Sequence, residues 1–358
     1  MQRIVTDPSF GPVCSFLFPG EDPSAVADLL KSCRTVRDFQ KRFMYSAISS
    51  IVNKTTDGLT VDGLEKLSPD KSYLFISNHR DIVLDAAFLQ VLLDDAGLPT
   101  SEITFGANLM QGQFVIDLGK SNKMFRVERP TTVASGREFL EKSNYLSAYI
   151  RHTISVKHES VWIAQRNGRT KNGDDRTDKG IITMLCQSGG PDRVQSLAEL
   201  NIVPLSISYE WEPCDLLKSV ELCKRATGQP YVKRPGEDLQ SILTGITQAK
   251  GRVHVSAGRC ITKEDLGPLG GLSKGEFTKA VAEMIDNTVL SSYRLYPNNY
   301  IAHDILTGSS SGHYSEQQKE QFEHRLSELD GYPGKEALKK QFLEMYAAPV
   351  RNKAALQE

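Results

Sequence analysis

The sequence predicts an α/β protein whose mixed, largely parallel central sheet is flanked by helices. From residue 72 onward, short apolar runs alternate with helical stretches. The apolar runs are nearly continuous, which is typical of parallel strands buried on both faces. Helical periodicity before residue 55 and after residue 315 adds an N-terminal helical segment and a helical C-terminal tail.

The composition indicates a globular chain whose binding sites must be local. Of the 358 residues, 39% are apolar and 24% are charged, and the net charge is −1. Such a balance gives no general attraction to polyanions, so we expect no nucleic-acid partner. The six cysteines show no C-x-x-C spacing, so neither a zinc site nor a disulfide framework is expected. Without a signal-peptide pattern or an apolar run of about 20 residues, the sequence predicts a cytoplasmic protein.

The individual elements follow in order along the chain. Asp22 suits the N-cap, and Pro23 the first helical position, of a helical segment over 22–52 with one break. Residues 53–71 are predicted to be a turn-rich bridge. The predicted strands are "SYLFIS", "SEITFGA", "SVWIAQ", "NIVPLSISYE" and "GRVHVSAG". The predicted helices are 83–95, 131–150, 178–187, 237–249 and 274–290.

This order of elements predicts three parts of the chain. Residues 1–55 form the N-terminal helical segment, and residues 56–265 form the α/β domain. Residues 266–358 form a C-terminal helical extension that packs on the same domain.

The stretch "NHRDIVLD" (78–85) places a histidine and two carboxylates between a predicted strand and a predicted helix. Open α/β sheets bind ligands at this end of their strands. A histidine has an ordinary pKa of about 6.5, so His79 is suited to general-base work near neutral pH. Asp81 and Asp85 are both candidates to fix its tautomer, and a pair with Asp85 requires a turn between the two residues. The alternative is a helix-entry loop whose charges only cap the helix and contact solvent.

Two later stretches are locally basic. "GKSNKMFRVERP" (119–130) carries four cations, and guanidinium groups bind phosphate oxygens bidentately. "VWIAQRNGRTKNGDDRTDKG" (161–180) is a strand followed by a loop with five cations. The glycines at 168 and 173 let backbone N–H groups approach an anion. A solvated turn or surface loop is the alternative in each case.

A fourth stretch, "NIVPLSISYEWEP" (201–213), is predicted to be a buried strand. Pro204 lies inside it and indicates an edge position or a bulge, because proline cannot donate to the ladder. Taken alone, this stretch indicates core.

In this order, the four stretches resemble the sequence blocks of the glycerol-3-phosphate and 1-acylglycerol-3-phosphate acyltransferase family. "NHRDIVLD" resembles N-H-x-x-x-x-D, and its His-Arg pair resembles the glycerol-3-phosphate branch. "FRVERP" resembles a strand that ends in arginine, and "IAQRNGRTK" resembles F-P-E-G-x-R-S. "IVPLSISYE" resembles the proline-containing fourth block, so the resemblance covers roughly residues 70–212.

The resemblance implies an acyltransferase of phospholipid biosynthesis. It implies transfer of a fatty acyl group from acyl-CoA or acyl-carrier protein to a hydroxyl of glycerol 3-phosphate or lysophosphatidate, without metal or cofactor. His79 would be the general base, oriented by Asp85. The implied substrate-binding residues are Arg80, Arg126, Arg129, Gln165, Arg166, Gly168, Arg169, Lys171 and Pro204.

A lipid substrate also predicts contact with a membrane. The family resemblance implies a lipid acceptor, and the helical periodicity of residues 26–51 is that of an amphipathic segment. We therefore expect a peripheral protein on the inner face of the cell membrane.

Departures from the family pattern leave alternatives open. Five residues separate His79 from Asp85 where the family has four, so either the turn holds an extra residue or Asp81 replaces Asp85. Gln165 stands where the third block has glutamate. An extra residue precedes Arg169, so either Arg166 or Arg169 could take the role of the arginine in that block.

These departures also keep more than one function in view. The acceptor stays open and includes other hydroxylated lipids, such as a lyso-ornithine lipid. Two other classes of protein remain: a metal-dependent phosphoesterase that uses His79, Asp81 and Asp85 as ligands, and a non-catalytic lipid- or acyl-carrier-binding protein.

Overall fold

The fold is built on one sheet that combines parallel and antiparallel strands. The structure is a computed structural model that describes residues 1–18, 20–110, 112–128, 134–226 and 231–356. The strands in these ranges are β1 (Leu59–Asp62), β2 (Leu74–Ser77), β3 (Glu102–Gly106), β4 (Met124–Val127), β5 (Val161–Ala164), β6 (Ile202–Tyr209) and β7 (Val253–Ala257).

The strand order confirms the predicted mixed, largely parallel sheet. The order across the sheet is β1-β7-β6-β2-β5-β3-β4. Strands β6, β2, β5, β3 and β4 run parallel, whereas β7 runs antiparallel to β6 and pairs in parallel with β1. The carboxyl ends of β2, β5 and β6 therefore meet at one edge, where ligands of such sheets bind.

Helices cover both faces of the sheet and form the two ends of the chain. The short helix Val36–Phe39 continues through a π-helical turn, Gln40–Met44, into the helix Tyr45–Thr55. The helices of the described residues are α1 (Gln2–Thr6), α2 (Phe10–Leu17), α3 (Pro23–Ser32), α4 (Val36–Phe39), α5 (Tyr45–Thr55), α6 (Leu84–Asp95), α7 (Gln113–Ser121), α8 (Gly136–Ser155), α9 (Lys179–Leu185), α10 (Arg193–Ala198), α11 (Asp215–Ala226), α12 (Glu237–Thr247), α13 (Lys263–Leu266), α14 (Lys274–Ser292), α15 (Pro297–Thr307), α16 (Glu316–Ser327) and α17 (Lys335–Ala354).

Alternating residues of the strands divide the interior into two cores, one on each face of the sheet. Phe75, Trp162 and Val203 pack with α5 and α6 on one face. Ile76 and Ile163 pack with α8, α9 and α14 on the other. This alternation is the consequence of the two-residue period of a strand, and it gives a helix–sheet–helix sandwich.

Most elements were predicted, and the exceptions have physical reasons. Each of the five predicted strands contains an observed one, and the Asp22 side chain accepts from Ser24 N–H at the start of α3, as expected of an N-cap. Strand β1 lies within the predicted bridge 53–71. It is four residues long, lies at the sheet edge and is half exposed, so it lacks the apolar run of a central strand.

Pro204 corrects the expectation of an edge strand or a bulge. It lies in β6, in the middle of the sheet, opposite Ile76 of β2. Its carbonyl accepts from Gly258 N–H at 2.9 Å, one residue beyond the end of β7. The backbone N–H and C=O of a strand residue point to the same side of the strand. The N–H that Pro204 lacks would therefore point toward the chain just beyond the last residue of β7, where the ladder has ended.

Separate apolar clusters hold the two ends of the chain. In the N-terminal cluster, Ile4, Phe10 and Leu30 pack with Phe39 and Phe43. In the C-terminal cluster, α15, α16 and α17 pack around residues such as Phe322 and Phe342. Helix α14, at the start of the predicted extension, packs against β6 and belongs to the core of the sheet. The division into three parts at residues 55 and 265 stays a prediction. Among the helices of the described ranges, none has the length and apolarity needed to cross a membrane.

Candidate active site

The loop of residues 78–83 follows β2 at the carboxyl edge of the sheet and carries His79. Asn78 anchors this loop, because its side chain exchanges hydrogen bonds with the backbone of Ile207 in β6, at 2.7 and 2.9 Å. The same amide donates to Asp175 at 2.9 Å. The loop is therefore tied to a neighbouring strand and to the loop that follows β5.

His79 and Asp85 are hydrogen-bonded across this loop. His79 Nδ1 lies 2.9 Å from Asp85 Oδ2, and Asp85 is fully buried in the first turn of α6. The backbone N–H groups of Arg80 and Asp81 donate to the same oxygen at 2.6 and 2.9 Å, and Tyr209 O–H donates to Oδ1 at 2.7 Å. These donors require a carboxylate that only accepts, so Nδ1 of His79 carries the hydrogen and Nε2 of the neutral ring is free of one.

Asp81 has a different partner set. Its Oδ1 accepts from the N–H groups of Val83 and Leu84 at 2.9 and 2.8 Å, where α6 begins. This contact is an Asx turn just before α6, and residues 81–83 form the turn that brings Asp85 back to His79. The extra residue in the His79–Asp85 spacing is thus accommodated before the helix starts.

Arg80 is buried beneath the site rather than exposed to a substrate. Its guanidinium is 1% exposed and contacts Asp175 at 2.6 Å and Glu212 at 2.9 Å. Burial acts to lower the pKa of Arg80, but attraction to Asp175 and then to Glu212 raises it above its ordinary value. Lys218 completes the network, donating to Glu212 at 2.5 Å and to the Arg80 carbonyl at 2.7 Å. The prediction that Arg80 binds substrate does not fit this geometry, because its charge is already matched inside the protein.

A cavity of about 320 Å³ opens beside His79. The His79 ring stands edge-on to Trp162, with centroids 5.7 Å apart. Most of the cavity wall is apolar and comes from residues that include Ile82, Phe105, Leu109, Phe139, Leu146, Ile181 and Met184. Lys142 and Arg166 add positive charge to the wall, and Gly168 also lines it.

The loop after β5 contributes residues to this cavity and to a second one. Thr170 N–H donates to the His79 carbonyl at 2.6 Å, so the loop lies directly against the histidine. Its neighbour Arg169 lines the second cavity, of about 300 Å³, together with Lys224 and Arg234. Within the described residues, Nη1 of Arg169 is buried without a hydrogen-bond partner. Arg166 and Arg169, the two candidates for the arginine of the third block, thus line different cavities.

The remaining predicted substrate contacts lie elsewhere. Lys171 forms an ion pair with Glu221, and burial lowers the pKa of Lys171 to about 8. Gln165 is fully buried, and neither atom of its side-chain amide finds a partner among the described residues. Arg126 is 58% exposed and pairs with Glu128, whereas Arg129 lies outside the described residues. Pro204 is in the sheet core rather than in the wall of either cavity, so its predicted role at the acyl chain does not fit.

Sequence reasoning missed several residues that surround His79. Trp162 and Tyr209 lie within predicted strands, and nothing in the sequence singled out Asp175 or Glu212. One signal was available for Tyr209 and Glu212: Tyr209 lies at the end of a predicted strand of a largely parallel sheet and Glu212 lies just beyond it, so both reach the carboxyl edge where His79 lies. Lys218 gave no such signal, because nothing in the sequence predicted α11.

The metal-ligand alternative has no cluster to support it. In the parts of the chain that the structure describes, no group of three or more His, Cys, Asp or Glu side chains is placed to hold a metal ion. Asp85 uses both of its oxygens on backbone N–H groups, His79 and Tyr209. Oδ1 of Asp81 accepts from two backbone N–H groups, and its Oδ2 is buried without a hydrogen-bond partner among the described residues.

Comparison with known proteins finds similarity over the part of the chain that carries this site. Among solved structures, the chain is similar to the crystal structure of the 1-acyl-sn-glycerophosphate (LPA) acyltransferase, PlsC, from Thermotoga maritima, at 15% identity and a TM-score of 0.37. That match covers 77% of this chain and 84% of the other, and at this level of similarity it carries no conclusion. No curated protein matches the sequence. Residues 58–208, which contain His79, Asp85 and both candidate arginines, match the family model described as Acyltransferase. The segment that carries the site is therefore similar to the acyltransferase family.

Proposed function

We propose that the protein transfers a fatty acyl group from a thioester donor to a hydroxyl of a glycerolipid precursor. The observation that carries the proposal is the His79–Asp85 pair, held 2.9 Å apart at one end of a mainly apolar cavity. A buried carboxylate at Nδ1 leaves Nε2 of His79 as the base, and an apolar cavity suits an acyl chain.

In the proposed reaction, His79 moves one proton twice. Nε2 takes the proton of the acceptor hydroxyl as the hydroxyl oxygen attacks the thioester carbonyl carbon. The resulting imidazolium is stabilised by Asp85, as in other histidine–carboxylate pairs. When the C–S bond breaks, the proton passes from His79 to the departing thiolate, and the acyl ester and free thiol leave. The thioester is already activated, so this step balances without a cofactor or metal.

We assign the acyl chain to the cavity of His79 and the acceptor's phosphate to Arg169. The unpartnered Nη1 of Arg169 supports this assignment, because a buried guanidinium N–H without an acceptor is unfavourable until an anion binds. Lys224 and Arg234 line the same cavity and add positive charge. The donor is acyl-CoA or acyl-carrier protein, and the acceptor is glycerol 3-phosphate or lysophosphatidate. A different lipid acceptor, such as a lyso-ornithine lipid, is the alternative within the same chemistry.

The test of transfer is to offer acyl-CoA and acyl-carrier-protein donors with phosphorylated and unphosphorylated acceptors and to identify the products by mass spectrometry. An acyl ester of a phosphorylated acceptor supports the proposal. Donor binding without ester formation would favour the non-catalytic alternative, and ester formation on unphosphorylated lipids alone would exclude the phosphate assignment.

Substitutions at the loop test the roles of the three ionisable residues. We expect His79→Ala and Asp85→Asn each to lower kcat by about 10²–10⁴-fold, because the base or its orientation is lost. Asp81→Asn is the matched control: it changes a carboxylate of the turn before α6, and we expect it to lower kcat by less than about tenfold. Steady-state kinetics with equal amounts of folded protein provide the measurement. A larger rate loss for Asp81→Asn than for Asp85→Asn would overturn the assignment.

The two candidate arginines are distinguished by acceptor affinity. We expect Arg169→Gln to raise the KM for a phosphorylated acceptor by about 10–100-fold, which is the scale of a charge-assisted hydrogen bond, and to leave the KM of the acyl donor nearly unchanged. Arg166→Gln is the control at the same loop. If Arg166→Gln raises the acceptor KM and Arg169→Gln does not, the phosphate binds in the cavity of His79 instead.

We further propose that the N-terminal helices place the protein on the inner face of the cell membrane. Phe16 of α2 is 45% exposed. Arg3, Lys31, Arg34 and Lys120 line an open cavity that also contains Asp117, the ion-pair partner of Arg3. Apolar and cationic groups together suit an anionic lipid surface.

Sedimentation with liposomes tests this placement. We expect the protein to co-sediment with anionic liposomes at low salt, less at high salt, and Phe16→Ser to weaken the binding. Tyr332→Ser changes a residue of equal exposure at the other end of the chain and is the control. Failure of the unmodified protein to co-sediment at low salt would refute membrane contact.

A further inference from the structure

The phenol of Tyr209 lies on the far side of Asp85 from His79. Its hydroxyl donates to Oδ1 of Asp85 at 2.7 Å, whereas His79 and two backbone N–H groups use Oδ2. We propose that Tyr209 is a positioning residue for acyl transfer, which fixes the Asp85 carboxylate and limits how strongly that carboxylate attracts the proton of His79. This inference rests on the proposed function of His79 as general base.

The position of Tyr209 is fixed by the sheet and by α6. Tyr209 is the last residue of β6, is 1% exposed and pairs across the ladder with Val253 of β7. Its ring packs against Phe88 of α6, with centroids 6.3 Å apart. Phe88 follows Asp85 by three residues and so lies on the same side of the helix. One tyrosine therefore contacts α6 twice, through its ring and through its hydroxyl.

Tyr209 is also a permanent donor. Burial, followed by the negative charge of Asp85, raises the pKa of Tyr209 well above its ordinary value. The phenol consequently keeps its hydrogen at neutral pH. Tyr209 is therefore the donor and Asp85 the acceptor in this contact.

A donor at Oδ1 changes the basicity of Oδ2. A hydrogen bond to a carboxylate stabilises its charge and reduces its attraction for a proton elsewhere on the group. With Tyr209 present, Asp85 attracts the imidazolium of His79 less than a carboxylate without that donor would. Loss of the hydroxyl strengthens this attraction and favours the imidazolium form of His79. General-base activity requires the neutral ring, so activity would then begin to fall at a higher pH as the solution is made more acidic.

Other charges near the pair stay constant when the hydroxyl is removed. Arg80, Asp81 and Glu212 surround Asp85 and Tyr209. Lys142, Arg166 and Asp178, together with Glu128, line the cavity of His79. Tyr209→Phe alters none of these groups, so a shift in the titration of His79 reports the missing hydrogen bond.

The test is the pH dependence of kcat/KM for the full-length Tyr209→Phe protein between about pH 5 and about pH 9, the range in which histidines titrate. We expect kcat/KM at neutral pH to fall by about tenfold, the scale of one hydrogen bond, and the acid limb to move up by about half a pH unit. 3-Fluorotyrosine at position 209 keeps the fold and makes the phenol a stronger donor, so it should move the acid limb down. Tyr73→Phe is the control, because it removes another buried hydroxyl, which accepts from Ser68 N–H away from the site.

Making Tyr209→Phe both in the unmodified protein and in the Asp85→Asn protein separates a positioning role from simple packing. If Tyr209 acts through Asp85, Tyr209→Phe in an Asp85→Asn protein should lower kcat/KM by no more than about twofold further. An unshifted acid limb in both Tyr209 variants, or an equal loss on both backgrounds, would overturn the inference while leaving His79 as the base. Retained activity in His79→Ala would instead refute the proposed function itself.

Discussion

The site depends on the hydrogen bonds of one buried carboxylate. Asp85 accepts from His79, from two backbone N–H groups of its own loop and from Tyr209 across the sheet. A buried charge is tolerated only when such donors replace water. The loop conformation, the start of α6 and the tautomer of His79 are all consequences of satisfying that charge. The histidine therefore reaches the cavity with its Nε2 unprotonated and its ring orientation fixed.

A second group of buried charges supports the same loop from below. Arg80, Asp175, Glu212 and Lys218 are each at most 3% exposed and together carry no net charge. Removing one partner of such a pair costs about 3–5 kcal/mol, because the other charge is left uncompensated. The network connects the histidine loop, the loop after β5 and α11. Tyr346 of α17 extends it by accepting from Glu212 N–H and donating to Asp215. The C-terminal helices are thus linked to the site through polar contacts as well as apolar packing.

The sequence predicted what depends on local pattern, and it failed where the outcome depends on contacts between distant segments. Apolar runs were sufficient to locate the central strands, but β1 is short and half exposed, and its pairing with β7 is a contact across almost 200 residues. Arg80 is adjacent to His79 in sequence, yet its partners Asp175 and Glu212 lie 95 and 132 residues away, so its burial was invisible. Arg166 and Arg169 could not be assigned to different cavities, because the direction of a loop side chain depends on the packing around it. The His79–Asp85 contact was within reach of sequence reasoning, since only a short turn separates them.

The central claim is that Asp85 holds the hydrogen of His79 on Nδ1 and leaves Nε2 as the base. Nitrogen NMR of the protein labelled in its histidine rings measures this directly, and a His79→Gln spectrum identifies the signal among those of the seven histidines. The account predicts a protonated Nδ1 and an unprotonated Nε2 in the neutral ring, with this preference lost in Asp85→Asn. A neutral His79 that carries its hydrogen on Nε2, or a spectrum unchanged by Asp85→Asn, would contradict the account.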